Sequence, residues 1–155
     1  MNSGASAPTD WTQPQSSATS TWKEAKPGEF GDFVGTTAYF RKTFIVDNLD
    51  SYASLAFSVK TTYGVIVYIN GEQVYSYNMP DEAITYNTKC EVKHNQLMNV
   101  GSSIAVQYSN LVLGANVVCF EVHVADPSVA NIIDFDSTIQ FTAESSFRLL
   151  DGVAS

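Results

Sequence analysis

The chain has 155 residues, of which 45% are hydrophobic and 12% aromatic, enough to bury a core without metal ions or disulfides. Its 16 Asp and Glu residues outnumber its 8 Lys and Arg residues, giving a formal net charge of −8. Because nucleic acids and anionic membranes attract basic protein surfaces, this charge argues against both as partners. No apolar run approaches the length of a membrane-spanning helix, so we expect no membrane insertion.

Composition divides the chain into a lead-in, a folded module and a tail. Residues 1–21 are rich in Ser, Thr, Ala, Pro and Gln, which predicts a flexible N-terminal lead-in. Residues 22–144 carry the periodic apolar pattern of a folded module. We expect residues 145–155 to be a linker to a following domain, so that the chain is one module of a longer polypeptide.

Alternating apolar and polar residues predict short β-strands after a loop pinned by Trp22, Phe30 and Phe33. Asn70-Gly71, between two of these strands, is typical of a tight hairpin turn. No window shows a capped helical stripe of useful length, so the pattern predicts an all-β, antiparallel two-sheet sandwich. The predicted strands are 38–46, 54–60, 65–70, 73–77, 83–88, 103–107, 116–124 and 138–143.

The phase of the alternation predicts which side chains face the core, because residues two apart on a strand share a sheet face. A one-residue change of phase would move the whole set to solvent. The predicted core residues are Phe40, Phe44, Phe57, Val59, Val67, Phe120 and Val122.

The two cysteines, Cys90 and Cys119, belong to no CxxC pair, so a zinc site is not indicated. They could form one disulfide in an extracellular protein, or they could be two buried thiols. Buried thiols are favoured, because Cys119 lies within an apolar strand and buried free cysteine is common.

Tyr63, Tyr75, Tyr77 and Tyr86 surround the predicted hairpin and the turn at Asn78. Exposed aromatic rings offer flat apolar faces to the C–H groups of sugars, and an Asn amide pairs with sugar hydroxyls. These five residues are therefore the candidate ligand-binding site. The alternative is that the tyrosines pack across strands, where Tyr is a favoured residue.

Glu121 and His123 lie two residues apart on one predicted strand and share a face. Such a pair can bind a metal or transfer protons, but a polar pair that belongs to the fold, with Arg41 as a neighbour, is the favoured alternative. The sequence holds no GxSxG motif and only 2 histidines, which limits nucleophilic and general-base chemistry. Paired-carboxylate glycosidase chemistry stays open at this point, because its two acids can be distant in the chain.

Three segments, in order, resemble a family of galactose-binding-like jelly-roll domains. They are Tyr39-Phe40-Arg41-Lys42-Thr43-Phe44, then Val67-Tyr68-Ile69-Asn70-Gly71-Glu72-Gln73-Val74 with Asn78-Met79-Pro80, and finally Leu113-Gly114-Ala115-Asn116-Val117-Val118 with Glu121-Val122-His123. The resemblance covers roughly residues 22–142. It implies a jelly-roll sandwich that serves as an accessory module in a large secreted or cell-surface protein, often beside glycosidases.

The chain departs from that family at two loop positions. Thr62-Tyr63-Gly64 stands where relatives commonly carry DDG, and Tyr77 stands where they often carry Arg. Two acids and a guanidinium are therefore missing near the loop-end surface. Any ligand that depends on those charges in relatives is not expected to bind here in the same way.

Asp134 and Asp136 share a strand face, and Asp126 lies nearby in sequence. Calcium is a hard cation that takes several oxygen ligands, so clustered carboxylates suit it. Many sandwiches of the resembled family carry a structural calcium ion, and these three residues are its candidate ligands here. The alternative is that they are solvated loop acids.

The sequence and the resemblance together predict a non-catalytic carbohydrate-binding-type module of a larger extracellular or cell-surface protein. Its partner would be a glycan or neighbouring protein domains. The alternative is a structural or adhesive spacer that mediates protein–protein contacts, and a fragment of a hydrolase is a third, less favoured hypothesis.

Overall fold

The computed structural model describes residues 2–3, 6–16, 22–26, 28–49, 52–94, 98–106, 110–133 and 135–143. The strands in these ranges pair only antiparallel, and the ranges contain no α-helix, which confirms the predicted all-β sandwich. No helix among them has the length and apolarity needed to cross a bilayer. The strands are β1 (Asn2–Ser3), β2 (Asp32–Phe33), β3 (Thr37–Val46), β4 (Tyr52–Thr61), β5 (Gly64–Ile69), β6 (Glu72–Tyr77), β7 (Met98–Val106), β8 (Gly114–His123), β9 (Asn131–Ile132) and β10 (Phe135–Ala143).

The strands form two layers with the core between them. The main sheet has five strands in the order β1-β3-β8-β5-β6, and the facing sheet has three in the order β10-β4-β7. The short strands β2 and β9 pair separately. One buried hydrophobic cluster contains Phe40 of the main sheet together with Val59 and Phe135 of the facing sheet, so the inner faces of both sheets build the core.

The predicted core is confirmed at every position whose side chain the structure describes. The side chain of Phe57 lies outside that part. The buried members are Phe40, Phe44, Val59, Val67, Phe120 and Val122.

The hairpin between β5 and β6 is confirmed as well. Its two turn residues, Asn70 and Gly71, have φ of 49° and 91°. Both values lie in the left-handed region, which Asn and Gly enter at the least steric cost, and a tight hairpin needs such a pair.

Both faces of β8 are buried, which distinguishes it from a strand with one solvated face. It lies between β3 and β5 in the main sheet, and each of its residues from Asn116 to His123 is buried. Phe120 and Val122 face the core, whereas Glu121 and His123 point to the opposite, outer face. The outer face of the main sheet must therefore be covered by another part of the chain.

Residues 6–16, here called the strap, form one part of this cover. The sequence predicts that Trp11 belongs to a flexible lead-in, yet its side chain is only 7% exposed. The indole meets Tyr39 and Tyr68 edge-on, with ring centroids 5.1 and 5.8 Å away. The buried Trp11 side chain is therefore one of the contacts that anchor the strap to the sheet.

The prediction of a strand at residues 83–88 is wrong, because this segment forms turns. The Thr88 N–H donates to the Thr85 carbonyl at 3.1 Å, and the Thr85 N–H donates to Thr88 Oγ1 at 2.9 Å. These local bonds use backbone groups that a neighbouring strand would need. Tyr86 of the same segment packs into the cluster on the outer face and completes the cover.

Gly64 allows the loop after β6 to approach the main sheet closely. A Cβ at this position would lie 2.6 Å from Cys90 Cβ and 2.5 Å from Met79 Sδ, both far inside normal contact. Gly64, which stands where the resembled family also has glycine, therefore has a packing reason.

Candidate functional site

The structure separates the predicted ligand-binding residues instead of gathering them on one exposed surface. Tyr63 is 1% exposed, and its hydroxyl donates to Asn131 Oδ1 at 3.2 Å. Tyr75 and Tyr77 are half-buried and pack against the core. The Tyr75 hydroxyl crosses to the facing sheet and donates to the Val100 carbonyl at 2.5 Å. Cross-strand and cross-sheet packing therefore accounts for these three rings.

The other predicted binding contacts are also made within the protein. The Tyr77 hydroxyl lies 3.1 Å from His94 Nε2. Asn78 bonds both backbone groups of Val92, donating from Nδ2 to the carbonyl at 2.5 Å and accepting the N–H at Oδ1 at 2.9 Å. Tyr86 lies on the outer face of the main sheet. None of the four tyrosines is fully exposed, and a glycan site at these residues stays a prediction.

The predicted calcium ligands are engaged locally where they are described. Asp126 is exposed, and its Oδ1 accepts the N–H of Ser128 at 3.0 Å and the Ser128 hydroxyl at 2.5 Å, which lowers the pKa of Asp126. Asp136 Oδ1 accepts the N–H of Ser137 at 2.8 Å. Asp134 lies outside the described residues. Among the described residues no three His, Cys, Asp or Glu side chains could hold a metal ion together, so calcium stays a prediction.

The two cysteines are free and buried, which confirms the favoured alternative of two thiols. Cys119 lies on the outer face opposite Arg41 in the β3–β8 register. Burial raises the pKa of the Cys119 thiol to about 12, against a smaller opposing effect of the Arg41 guanidinium. Burial also raises the pKa of Cys90. Neither thiol is therefore poised as a nucleophile at neutral pH.

A buried polar cluster occupies the outer face of the main sheet, next to the segment 83–88. His123 is 0% exposed and Glu121 8%, and His123 Nε2 lies 2.9 Å from Glu121 Oε1. The second carboxylate oxygen accepts the Tyr68 hydroxyl at 2.9 Å. Because a carbonyl can only accept, His123 Nδ1 donates to the Thr88 carbonyl at 2.5 Å, with Thr37 Oγ1 3.1 Å away. The Glu121–His123 pair is thus a hydrogen-bonded part of the fold, as favoured from the sequence.

The same cluster perturbs the tyrosines around it. Burial and then the charge of Glu121 raise the pKa of Tyr39 to about 12. The same causes raise the pKa of Tyr68, whose hydroxyl also donates to that carboxylate. Both phenols therefore stay protonated near neutral pH, and the Tyr68 hydroxyl acts as a donor to Glu121. With both nitrogens of His123 and both carboxylate oxygens of Glu121 partnered by protein groups, the cluster binds the sheet to its cover.

A cleft opens between the two sheets along their β3 and β10 edges. β10 is the edge of the facing sheet, and β3 is bordered on its outer side only by the short β1. Residues 22–26, Glu29 and Phe30 form a third wall across this opening. The cleft has a volume of ≈730 Å³, which is the size of a typical small-molecule site.

Phenylalanine rings form the floor of the cleft. Successive ring centroids lie 4.8 Å apart for Phe30 and Phe40, 5.1 Å for Phe40 and Phe135, and 4.7 Å for Phe120 and Phe135. Phe40, Phe120 and Phe135 are buried, whereas Phe30 is half-buried. The floor is therefore an extension of the hydrophobic core that reaches the surface at Phe30.

Charged side chains of both signs surround this apolar floor. Four of the 8 Lys and Arg residues of this acidic chain line the cleft: Lys23, Lys26, Arg41 and Lys42. The Arg41 guanidinium is bonded to the strap, and Asp136 adds a carboxylate to the lining. Ammonium groups donate and carboxylates accept hydrogen bonds, so such a rim can engage both functions of a hydroxyl group. The exposed charged residues around the cleft are Lys23, Glu24, Lys26, Glu29 and Lys42.

Sequence reasoning missed this cleft. From the sequence, Trp22 and Phe30 are expected only to pin a loop, and Phe120 only to fill the core. The Lys and Glu residues between Trp22 and Phe30 are the one local signal that could have indicated a wall of a binding cleft. The pairing of that wall with β10, which follows more than a hundred residues later, leaves no local trace.

The sequence of the chain matches one protein family. Residues 7–112 match the family described as the β-galactosidase second all-β domain. The chain belongs to this family. A β-galactosidase all-β domain is an accessory domain, which agrees with the galactose-binding-like resemblance at the level of the fold. Neither a curated protein nor a solved structure matches the chain.

Proposed function

We propose that this β-galactosidase-type all-β domain is a non-catalytic carbohydrate-binding module of a larger extracellular or cell-surface protein. Its binding site would be the cleft between β3 and β10. The observation that carries the proposal is the combination of an aromatic floor with a mixed-charge rim in a cleft of ≈730 Å³. The family name suggests glycans that contain β-galactose as the first ligands to test.

The floor suits the apolar side of a sugar ring. A pyranose has one face lined by C–H groups, and aromatic rings bury such surface favourably. Phe30 is the ring of the floor that solvent reaches, so it is the side chain on which a sugar would stack. The buried rings of Phe40 and Phe135 pack against Phe30, with centroids 4.8 and 6.4 Å from its own, and hold it in place.

The rim suits the hydroxyl groups of the same sugar. Hydrogen bonds to charged groups are about twice as strong as those between neutral groups. Lys26 and Glu29 stand on the wall, and Lys42 stands opposite on β3. A neutral saccharide would find donors and acceptors on both sides, whereas a polyanion would meet carboxylates in the cleft and a net charge of −8 on the chain.

The proposal is non-catalytic because the one acid–base pair singled out from the sequence lies away from the cleft. Glu121 and His123 are buried on the outer face, away from the cleft, and are bonded to protein groups. This supports a binding role over the hydrolase-fragment hypothesis.

The test is calorimetric titration with lactose and β-1,4-galactan oligosaccharides, using Phe30→Ala as the cleft variant. We expect Phe30→Ala to weaken binding at least about tenfold, the loss expected for a central aromatic contact. Tyr77→Ala is the matched variant at the tyrosine site predicted from the sequence and should bind as the wild type does. Far-ultraviolet circular dichroism checks that both variants are folded.

If Tyr77→Ala weakens binding and Phe30→Ala does not, the binding site is the tyrosine site and not the cleft. If the wild type binds none of these glycans, the carbohydrate proposal is wrong and the spacer function becomes the better one.

One specific observation favours that second candidate. Ile45, Val112 and Leu113 are 63%, 51% and 64% exposed and lie where β3 ends and β8 begins. Neighbouring exposed apolar side chains of this kind mark contact surfaces. In the spacer function, a neighbouring domain of the longer protein would cover them, and footprinting of that protein would show Leu113 protected.

A further inference from the structure

Trp22 connects the cleft to the opposite face of the main sheet. It is part of the cleft wall, yet its ring centroid lies 6.0 Å from that of Trp11 and 6.5 Å from that of Tyr39, both on the outer face. This is geometrically feasible because β1 pairs with β3 only at Ala38 and Tyr39. Beyond that point the wall passes around the edge of β3 from one face of the sheet to the other.

Trp11 is the fixed end of this connection. Its ring is 7% exposed and meets Tyr39 and Tyr68 at interplanar angles of 71° and 75°. Its carbonyl oxygen accepts a weak hydrogen bond from the Cys119 thiol at 3.7 Å. Trp22 is only half-buried and has fewer described ring contacts, so its position depends on Trp11 more than the reverse.

The backbone of the strap is held independently of these rings. Arg41 Nη2 donates to the carbonyl oxygens of Gln13 and Pro14 at 2.8 and 3.0 Å. The Gln13 side chain lies over Gly71 so closely that a Cβ there would be 2.2 Å from Nε2. The strap therefore stays docked when the Trp11 ring is changed, which separates the effect of the ring from the effect of losing the strap.

We infer that Trp11 is a positioning residue for the cleft, acting through Trp22 on the wall that carries the rim. The inference rests on the proposed carbohydrate-binding function. Trp22 is followed directly by Lys23 and Glu24, so the ring that Trp11 holds sets where these charged groups stand. A binding wall that is ordered before the ligand arrives does not have to be ordered by the ligand, and affinity rises accordingly.

The experiment uses the fact that the chain has only 2 tryptophans. In Trp11→Leu and Trp11→Phe, Trp22 is the sole indole, and its emission maximum and acrylamide quenching report directly on the wall. We expect Trp22 to be quenched more strongly and to emit at longer wavelength in Trp11→Leu than in Trp11→Phe, because Phe restores an aromatic contact. Galacto-oligosaccharide binding should be about tenfold weaker in Trp11→Leu and partly rescued in Trp11→Phe.

Val117→Ala is the matched control. Val117 is buried in the same outer-face cluster as Trp11, so its truncation also loosens that cluster, but it leaves in place both rings that contact Trp22, those of Trp11 and Tyr39. We expect Val117→Ala to melt at a lower temperature while its glycan affinity stays within about twofold of the wild type. A Val117→Ala variant that loses affinity as Trp11→Leu does would show a general stability effect and overturn the inference.

The outcomes separate the inference from the function on which it rests. If the wild type binds glycan, and Trp11→Leu binds equally well with Trp22 quenched as in Trp11→Phe, the inference is wrong and the binding function stands. If the wild type binds no glycan, the proposed function is wrong. Equal quenching of Trp22 in the two variants would then also refute the positioning role of Trp11.

Discussion

Around β8, the two faces of the main sheet are both buried, but by different chemistry. The inner face presents hydrocarbon, such as Phe40, Val67 and Phe120, to the facing sheet. The outer face presents Tyr39 and Glu121, with their polar atoms bonded, to a cover of irregular segments. Residues of opposite character therefore alternate over residues 37–40 of β3 and 119–123 of β8, and all of these residues are buried.

This difference teaches that burial alone does not define the core of the module. Hydrocarbon burial is non-directional and scales with area, so the inner face tolerates small shifts but not lost volume. A buried polar network depends on each partner and on protonation. The two faces should therefore respond to different perturbations, and the predictions that follow test this from the largest expected effect to the smallest.

Truncating the inner face should give the largest loss. Phe120→Ala removes a ring that is 4% exposed and 4.7 Å from Phe135. We expect a loss of about 3–5 kcal/mol in the free energy of unfolding, measured by urea denaturation, because the cavity cannot collapse fully. A loss below about 1 kcal/mol would mean that the ring does not face a packed core.

Alkaline pH should weaken the outer face selectively. Tyr39 has a pKa raised to about 12 in the folded protein, against about 10 for an unfolded chain, so the unfolded state loses its proton first. The stabilisation is fully present below about pH 10 and is lost by about pH 12, on the order of 2 kcal/mol. Denaturant melts at successive pH values would measure this decline, to which Cys119 adds from about pH 9 upward.

Tyr39→Phe tests the cause of that decline. The variant keeps the ring beside Trp11 but has no phenol to ionise, so its stability should fall less steeply above pH 10 than that of the wild type. Equal slopes for the two proteins would show that Tyr39 is not the group responsible.

The smallest effect should be found on the outer face beyond its cover. Ile45 is 63% exposed, although it lies on the same strand as Tyr39, which is 5% exposed. Ile45→Ala should change the free energy of unfolding by less than about 0.5 kcal/mol, as exposed substitutions usually do. A clearly larger loss in the isolated module would mean that another part of the chain packs over this position.

The fold could be predicted from the sequence because the strands obey a local rule. The alternation in β3 and the Asn70-Gly71 turn identify their elements without knowledge of distant residues. The strand prediction for residues 83–88 was wrong because Thr and Tyr favour strands in general. Here the Thr85 N–H bonds Thr88 Oγ1 and the Thr88 N–H bonds the Thr85 carbonyl. Side-chain bonds over three residues overrode the propensity.

The candidate site could not be predicted because it depends on contacts between distant parts of the chain. Phe40 and Phe120 are identifiable as core residues, but only the placement of β10 brings Phe135 against them. The burial of Trp11 has the same origin, since a polar segment gives no periodic signal for the sheet that it covers. Composition describes what the strap is made of and not where it lies.

Because Cys119 lies beneath the strap, its thiol can report on local opening of the strap. Alkylating reagents need both access and thiolate, and burial withholds both while the strap is docked. The rate of alkylation at Cys119 therefore measures how often the strap separates from the sheet, and no engineered probe is needed. Cys90 belongs to the loop after β6 and is buried in the core cluster, so its labelling reports the opening of a different region in the same experiment. A time course of mass spectra would thus measure two local opening reactions of the module separately.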